Sequence, residues 1–390
     1  MSNDSSPAFE EELDSSSTPV EIDVRQDEAD GGAQSKGGRR VATTSAVAVV
    51  AVAIGVGTFF GTQSHPASPA KTAAAAAAAA ATSGAAYEVY VAAAGGYEVA
   101  SLNTQTATAG LTYSTDSAMG IALSPNDQTL YVANTGQYGV LSVNVATKQS
   151  TTIQVGAYPQ DVAVSPSGAT VYATVTGGDS GAGGSNKVAV IDTATNKVTT
   201  DITVGTAPRQ IVISPDGSRA YVDTMGGVYV INTATNQVVG VVRAPSDVQG
   251  LALSHDGKTL YATAPDEGQL LAIATGTLHT LHTFDAGAEP WSVGVLPDGS
   301  KLYVADTNSN SVDILNAKTG HSIATVTVGS LPTALGVTPD GSEVWIGNTL
   351  SGSLSVISTA TNTLVATIPG GPGTTALDSA PTDIVFGPAS

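Results

Sequence analysis

From Tyr87 onward the chain alternates short apolar runs with clusters of Gly, Pro, Asn and Asp, and the runs are rich in Val, Thr, Ile and Tyr. That pattern predicts short strands joined by tight turns. One turn returns six times: "SPND" at Ser124, "SPSG" at Ser165, "SPDG" at Ser214, "SHDG" at Ser254, "LPDG" at Leu296 and "TPDG" at Thr338. Successive copies are 41, 49, 40, 42 and 42 residues apart. A repeat of that length means stacked supersecondary units.

Each unit follows one grammar. A run such as "IVI" precedes the turn, and one such as "LYVAN" (Leu130–Asn134) follows it. Pro presets φ for the turn and Gly tolerates positive φ. A third run, such as "VAVID" from Val188, leads to a second turn, clearest as "DTATN" (Asp192–Asn196), "NTATN" (Asn232–Asn236) and "STATN" (Ser358–Asn362). Asp, Thr and Asn side chains bond turn backbone, which explains this composition without a ligand. A fourth run, such as "LVATI" from Leu364, ends the unit. Four short antiparallel strands per unit make a propeller blade.

These units resemble the YVTN-type β-propeller family, whose repeats read much like "SPDG..LYVAN.....VSVIDTATN.VVATI". The resemblance spans residues 87–390 and implies a seven-bladed, lactonase-like propeller. The two ends complete the count. "PTDIVFGP" (Pro381–Pro388) reads as a first strand with nothing after it. "YEVYVAAAGGYEVASLNTQTATAGLTYS" (Tyr87–Ser114) reads as the missing second, third and fourth strands. Joined, they form a seventh blade and remove the exposed sheet edges that invite aggregation. The expected fold is all-β: seven four-stranded antiparallel blades, closed by pairing of the C-terminal strand with the N-terminal strands.

Three unlike segments come first. Residues 1–40 hold ten acids against four bases and little to bury. They are expected to be a disordered acidic cytoplasmic tail, with "VEIDV" (Val20–Val24) as a candidate docking segment. Val41–Phe60 carry no charge across 20 residues. A helix of that length spans about 30 Å, the thickness of a bilayer's hydrocarbon core, so residues 41–61 are expected to be a transmembrane anchor. Lys36, Arg39 and Arg40 just before it place the N-terminus in the cytoplasm and the propeller outside. A cleaved leader that releases a secreted protein is the alternative. Arg39-Arg40 lacks the flanking pattern of a twin-arginine signal. Residues 62–86, with Pro66, Pro69 and the alanines Ala73–Ala81, have the composition of a spacer.

Composition narrows the chemistry. The chain has 33 Asp plus Glu against 14 Lys plus Arg and no basic run, so no nucleic-acid partner is expected. It has no cysteine, which removes disulfides, thiolate nucleophiles and zinc–sulfur sites. It has no GxSxG elbow, HExxH, P-loop or strand-linked GxGxxG. No catalytic residue and no cofactor is therefore predicted. Asp306, Asn308, Asn310 and Asp313 are spaced like a calcium loop, but Ser311 stands where that loop needs Gly and Ala317 where it needs Glu. A turn between strands explains the stretch. His279 and His282 are expected in one fourth strand, on opposite faces, and so unable to share a metal. His65, His255 and His321 stand alone, and no metal is predicted. The Gly-rich Gly177–Asn186 is expected to be a flexible loop between strands two and three of its unit.

The candidate site lies on one face. In a propeller, loops entering the first strand and loops joining strands two and three share a side. The residues expected just ahead of the first strands differ from unit to unit: Met119, Gln160, Asp161, Arg209, Gln249, Trp291 and Thr333. Variation on a repeated scaffold is where a site is usually written. Arg209, a forked donor, and Trp291, a large flat apolar surface, stand out as binding candidates, with Asp161, Gln160 and Gln249 beside them. The function expected is a membrane-anchored, extracytoplasmic binding or scaffold domain without catalysis. Its partner would be a protein, polymer or small molecule on that face. The resemblance also implies an alternative, a propeller enzyme of lactonase or streptogramin-lyase type. A surface-layer or adhesion component is the third reading.

Overall fold

The computed structural model describes residues 85–94, 98–106, 109–177, 186–244, 246–370 and 380–389. The expected tail, membrane anchor and nearly all of the spacer lie outside them, as does most of the Gly-rich loop. Among the described residues no helix is long and apolar enough to cross a membrane.

The described chain forms seven four-stranded sheets. In the third blade, Ile211–Ile213 is innermost, followed outward by Arg219–Thr224, Gly227–Asn232 and Gln237–Arg243, each pair antiparallel. Six blades use four strands in sequence order. The seventh joins the ends of the chain. Pro381–Pro388 pairs antiparallel with Tyr87–Ala93, with Tyr87 opposite Pro388 and Ala93 opposite Pro381. Glu98–Asn103 and Ala109–Ser114 complete it.

Burial follows from blades stacking face to face. Second strands such as Thr129–Asn134 are buried on both faces, because a neighbouring blade covers each. Outer strands such as Ser322–Thr327 are mostly exposed. The core is divided into clusters shared by adjacent blades: Tyr261 and Leu270 of the fourth blade pack with Val293, Leu302 and Val304 of the fifth.

The repeated turns lie together on one face and lock it. Ser214 Oγ donates to Asp216 Oδ1 at 2.6 Å and accepts from the Arg219 N–H at 2.9 Å. Gly217 closes that turn at φ +72°. Asn196, Asn236 and Asn362 close the second turns at φ +53°, +54° and +55°, a region Asn tolerates better than most side chains. The hydroxyls of Thr193, Thr233, Thr275 and Thr359 donate to the carbonyls of Gly168, Gly217, Gly257 and Gly341, tying the two turns of a blade together. Tyrosines then tie one blade to the next. Tyr172 donates to Asn236 Oδ1 and Tyr303 to Asn362 Oδ1, both at 3.2 Å, and Lys301 Nζ joins the second pair at 2.8 Å.

The calcium-like stretch is also architecture. Asp306 is buried, and its Oδ1 accepts the N–H groups of Glu289, Asn308 and Ser309 at 3.2, 3.0 and 3.1 Å. Its Oδ2 accepts the Ala288 N–H at 2.6 Å. The carboxylate thus holds its own turn to the loop entering the first strand. One expectation needs correction. His279 is not in a fourth strand; it lies in the turn ahead of Thr280–Asp285, where its carbonyl accepts the Ala274 N–H. Leu278 fills the left-handed position of this turn at φ +60°, as Asn196, Asn236 and Asn362 do in other blades. His282 is in the strand and stacks on Phe284, with ring centroids 5.8 Å apart.

Two measurements test this frame. A chain ending at residue 380 loses the innermost strand of the seventh blade and should lose the cooperative thermal melt of the whole domain. A melt like the intact protein's would show that the ring does not need its closure. Asn362→Ala should lower stability by about 1–3 kcal/mol, through a lost acceptor for Tyr303 and Lys301 and the cost of a left-handed alanine. The denaturant midpoint should fall with its slope unchanged.

Candidate functional site

Opposite the repeated turns, the inner strands open into a mouth of about 250 Å³. Every blade contributes one equivalent residue to its wall: Met119, Gln160, Arg209, Gln249, Trp291, Thr333 and Thr382. The next position adds Asp161, Gln210, Ser292 and Asp383, with Gly120 in the first blade. All seven candidates named from sequence therefore meet at one cavity. Arg209, Trp291 and Gln249 are half-buried there.

The local backbone differs from expectation. Met119, Gln160, Asp161, Trp291 and Thr333 fall inside their first strands, not ahead of them. Pairing shifts register at these points, for example between Pro159 and Val162 and between Pro290 and Ser292. Such a bulge interrupts the ladder and re-aims side chains, here toward the channel.

Threonine hydroxyls fix the wall. Thr174 Oγ1 accepts the Asp161 N–H of its own blade at 3.0 Å and donates to the Arg209 carbonyl of the next at 2.5 Å. Thr263 repeats this two blades on, accepting from Gly250 N–H at 2.8 Å and donating to the Trp291 carbonyl at 3.0 Å. Thr382 donates to the Met119 carbonyl at 2.7 Å. The backbones that carry Arg209 and Trp291 are thus held before any ligand arrives.

The acidic residues serve as latches between blades. Asp161 Oδ2 accepts the Ile211 N–H of the next blade at 2.9 Å, and its Oδ1 accepts the Val162 N–H at 2.7 Å. Asp383 does the same with Ile121 and Ile384, both at 2.8 Å. Gln210 Oε1 accepts the Leu251 N–H at 2.5 Å. Gly120 lies between the two carboxylates. A Cβ there would come within 2.1 Å of Asp161 Oδ1, so the close approach requires glycine.

Burial and crowding raise these acids. Burial holds the Asp161 carboxyl well above the usual range, and the charge of Asp383 adds to it. Burial pushes Asp383 up to about 6 against the pull of its two backbone donors. Asp223 is fully buried and also raised well above the usual range by burial, with the Arg209 charge pulling the other way. Among the described residues no group of three or more potential ligands could hold a metal ion.

Sequence reasoning missed Thr382 and Asp383, although "PTD" at Pro381 repeats the "PQD" at Pro159. It also missed Thr174 and Thr263. Their signal is a departure from "LYVAN": "VYATV" and "LYATA" place a threonine one residue before the end of the strand.

No protein-family model matches the chain, and no curated protein matches it. Solved structures do. A protein of Bacteroides uniformis, provisionally assigned as a 6-phosphogluconolactonase, is 16% identical with a TM-score of 0.64, over 78% of this chain and 100% of that one. A protein of unknown function from Desulfotomaculum acetoxidans is 13% identical with a TM-score of 0.65, over 78% and 99%. The hydrazine synthase of Kuenenia stuttgartiensis is 22% identical with a TM-score of 0.57, over 68% and 90%. At these identities the likeness shows the propeller fold, which hosts unrelated functions.

Asp383 gives the site a pH signature. Between its ordinary value of 3.8 and about 6, the folded protein holds a proton that the unfolded chain has released. That contribution is full below the window and is lost as pH rises through it. The melting temperature of the native protein relative to Asp383→Asn should therefore rise as pH falls from 7 to 4. A difference independent of pH would show that Asp383 titrates normally.

Proposed function

We propose that the chain is a YVTN-type propeller anchored in the membrane by Val41–Phe60, and that its extracytoplasmic domain binds a ligand in the mouth without catalysing a reaction. The observation that carries this is the contrast between the two faces. One repeats a fixed set of turn bonds, while the other brings seven positions with different side chains to one cavity, with the backbones of Arg209 and Trp291 already fixed. Small-molecule sites combine such a concavity with a few placed polar groups. The absence of catalysis is supported by the acids themselves. Each oxygen of Asp161 and Asp383 accepts a backbone N–H, so a proton-transfer role would compete with a latch between or within blades. The apolar stretch behind Lys36, Arg39 and Arg40 supports the anchor.

Two other readings have a specific observation each. A lactonase-type enzyme is favoured by the raised, mutually repelling carboxyls of Asp161 and Asp383, since acid–base catalysts need shifted pKa values. An adhesion component is favoured by Tyr138, Met225 and Leu350, which expose 49%, 49% and 76% of their surface on loops of the mouth face.

One experiment separates the three. Full-length protein is screened by thermal shift against sugars, organic acids, amines and lactones, with Arg209→Ala and Trp291→Ala as controls. Stabilisation that both substitutions abolish, with the compound recovered unchanged, is the expected result, because a ligand raises the melting temperature of the state it binds. Turnover of a lactone, abolished by Asp161→Asn or Asp383→Asn, would establish the enzyme. Sedimentation with cell-wall polymer that ignores Arg209 and Trp291 would establish adhesion. The anchor is tested alongside: the protein should stay in carbonate-washed membranes and be digested by protease added to intact cells.

A further inference from the structure

The mouth holds charges of both signs, but they differ in what is already bonded to them. Its carboxylates are committed: both oxygens of Asp161 and of Asp383 receive backbone N–H groups, as does the Gln210 side-chain oxygen. The hydroxyl of Thr382 is committed too, donating to the carbonyls of Ala118 and Met119. Its strongest donors are not. Among the described residues, the Arg209 guanidinium makes no hydrogen bond, although its charge acts on the buried Asp223, and the Gln249 amide makes none. The backbone of Arg209 is meanwhile gripped on both sides, by Asp223 at its N–H and by Thr174 at its carbonyl. A guanidinium with five donors, held by its main chain and facing a cavity whose lining carboxylates are already bonded to backbone, is complementary to an oxyanion.

The surroundings narrow the class. Among the described residues Arg209 is the only cation lining the cavity, and it shares that wall with Asp161 and Asp383. A dianionic phosphate would meet two carboxyls with one positive charge to offset them, whereas a monoanion matches the single fork. Trp291 adds an apolar plate, and Gln160 and Gln249 add amides that can pair with ring hydroxyls. At about 250 Å³ the mouth is at the small end for ligand sites, so the molecule is of single-ring size.

We infer that the mouth recognises a small ring-bearing carboxylate, whose carboxylate is taken by Arg209 and whose ring lies against Trp291. This rests on the mouth being the ligand site, and the test separates the two claims. The probes are two matched sets: D-glucuronate, D-glucose and D-glucosamine, and benzoate, benzamide and benzylamine. Each is titrated calorimetrically at millimolar concentration into full-length protein and into Arg209→Met, Arg209→Lys and Trp291→Ala, with near-ultraviolet circular dichroism to confirm that each variant is folded.

At least one acid should bind more tightly than its neutral and cationic partners. Arg209→Met should weaken that acid about tenfold or more, the worth of a charge-assisted hydrogen bond, and leave the neutral partner unchanged. Arg209→Lys should recover part of the loss, since it keeps the charge without the fork. Trp291→Ala should weaken acid and neutral compounds alike, leaving their ratio intact. If a neutral compound or an amine binds as well as the acid and loses affinity in Trp291→Ala, the carboxylate assignment is wrong while the mouth remains the site. An acid whose affinity is unchanged in Arg209→Met also overturns the assignment. If no probe binds, or none responds to either position, both claims fall.

Discussion

The ladder between Pro381–Pro388 and Tyr87–Ala93 is the contact on which the ring depends. It joins residues almost 300 positions apart, and every other blade is local by comparison. Without it, the seventh sheet loses its inner strand and the sixth and first blades lose the neighbour that covers them. Ile384 and Phe386 pack with Val89, Val91 and Trp345 in a cluster that bridges the sixth and seventh blades. Asp383, on the same strand, reaches the Ile121 N–H of the first blade. One eight-residue strand thus connects three blades, and the mouth is assembled only when it is in place.

The two faces of the disc use the same kinds of residue for different ends. On the turn face, Ser, Asp, Thr and Asn saturate one another and the adjoining backbone, so their repetition reflects geometry. The details confirm this where the repeat lapses. Elsewhere the turn proline of one blade packs near the turn glycine of the next, as Pro166 does with Gly217 and Pro297 with Gly341. His255 replaces that proline in the fourth blade, and the glycine it should meet, Gly299, has no neighbour within 4 Å of its would-be Cβ. On the mouth face the backbone is held just as firmly, by Thr174, Thr263 and Thr382, but the side chains it carries are free to differ. That division of labour lets a symmetric scaffold display an asymmetric site.

Much of this was legible in the sequence, for a physical reason. A recurring period reports the same local energetics six times, so strands, turns and the split blade could be read from spacing alone. Arg209 and Trp291 were legible because they break the pattern. The latches were not. Asp161 meets Ile211, 50 residues away, and Asp383 meets Ile121, 262 residues away, and no spacing rule reports a bond of that kind. Only the geometry shows both acids occupied by backbone donors. His279 was misplaced by one residue, because the fourth strand begins only at Thr280, after the left-handed Leu278.

The point where the chain joins the ring has a mechanical consequence. Ala85 N–H donates to Asp340 of a repeated turn, so the polypeptide enters on the face opposite the mouth, and Tyr87–Ala93 then runs across the disc between Pro381–Pro388 and Glu98–Asn103. Tension applied through the preceding segment would load both flanking ladders lengthwise. In that shearing geometry the cross-strand bonds share the force, whereas a strand pulled from its side would unzip them one at a time. The varied face, at the far end of that strand, would be spared the pull.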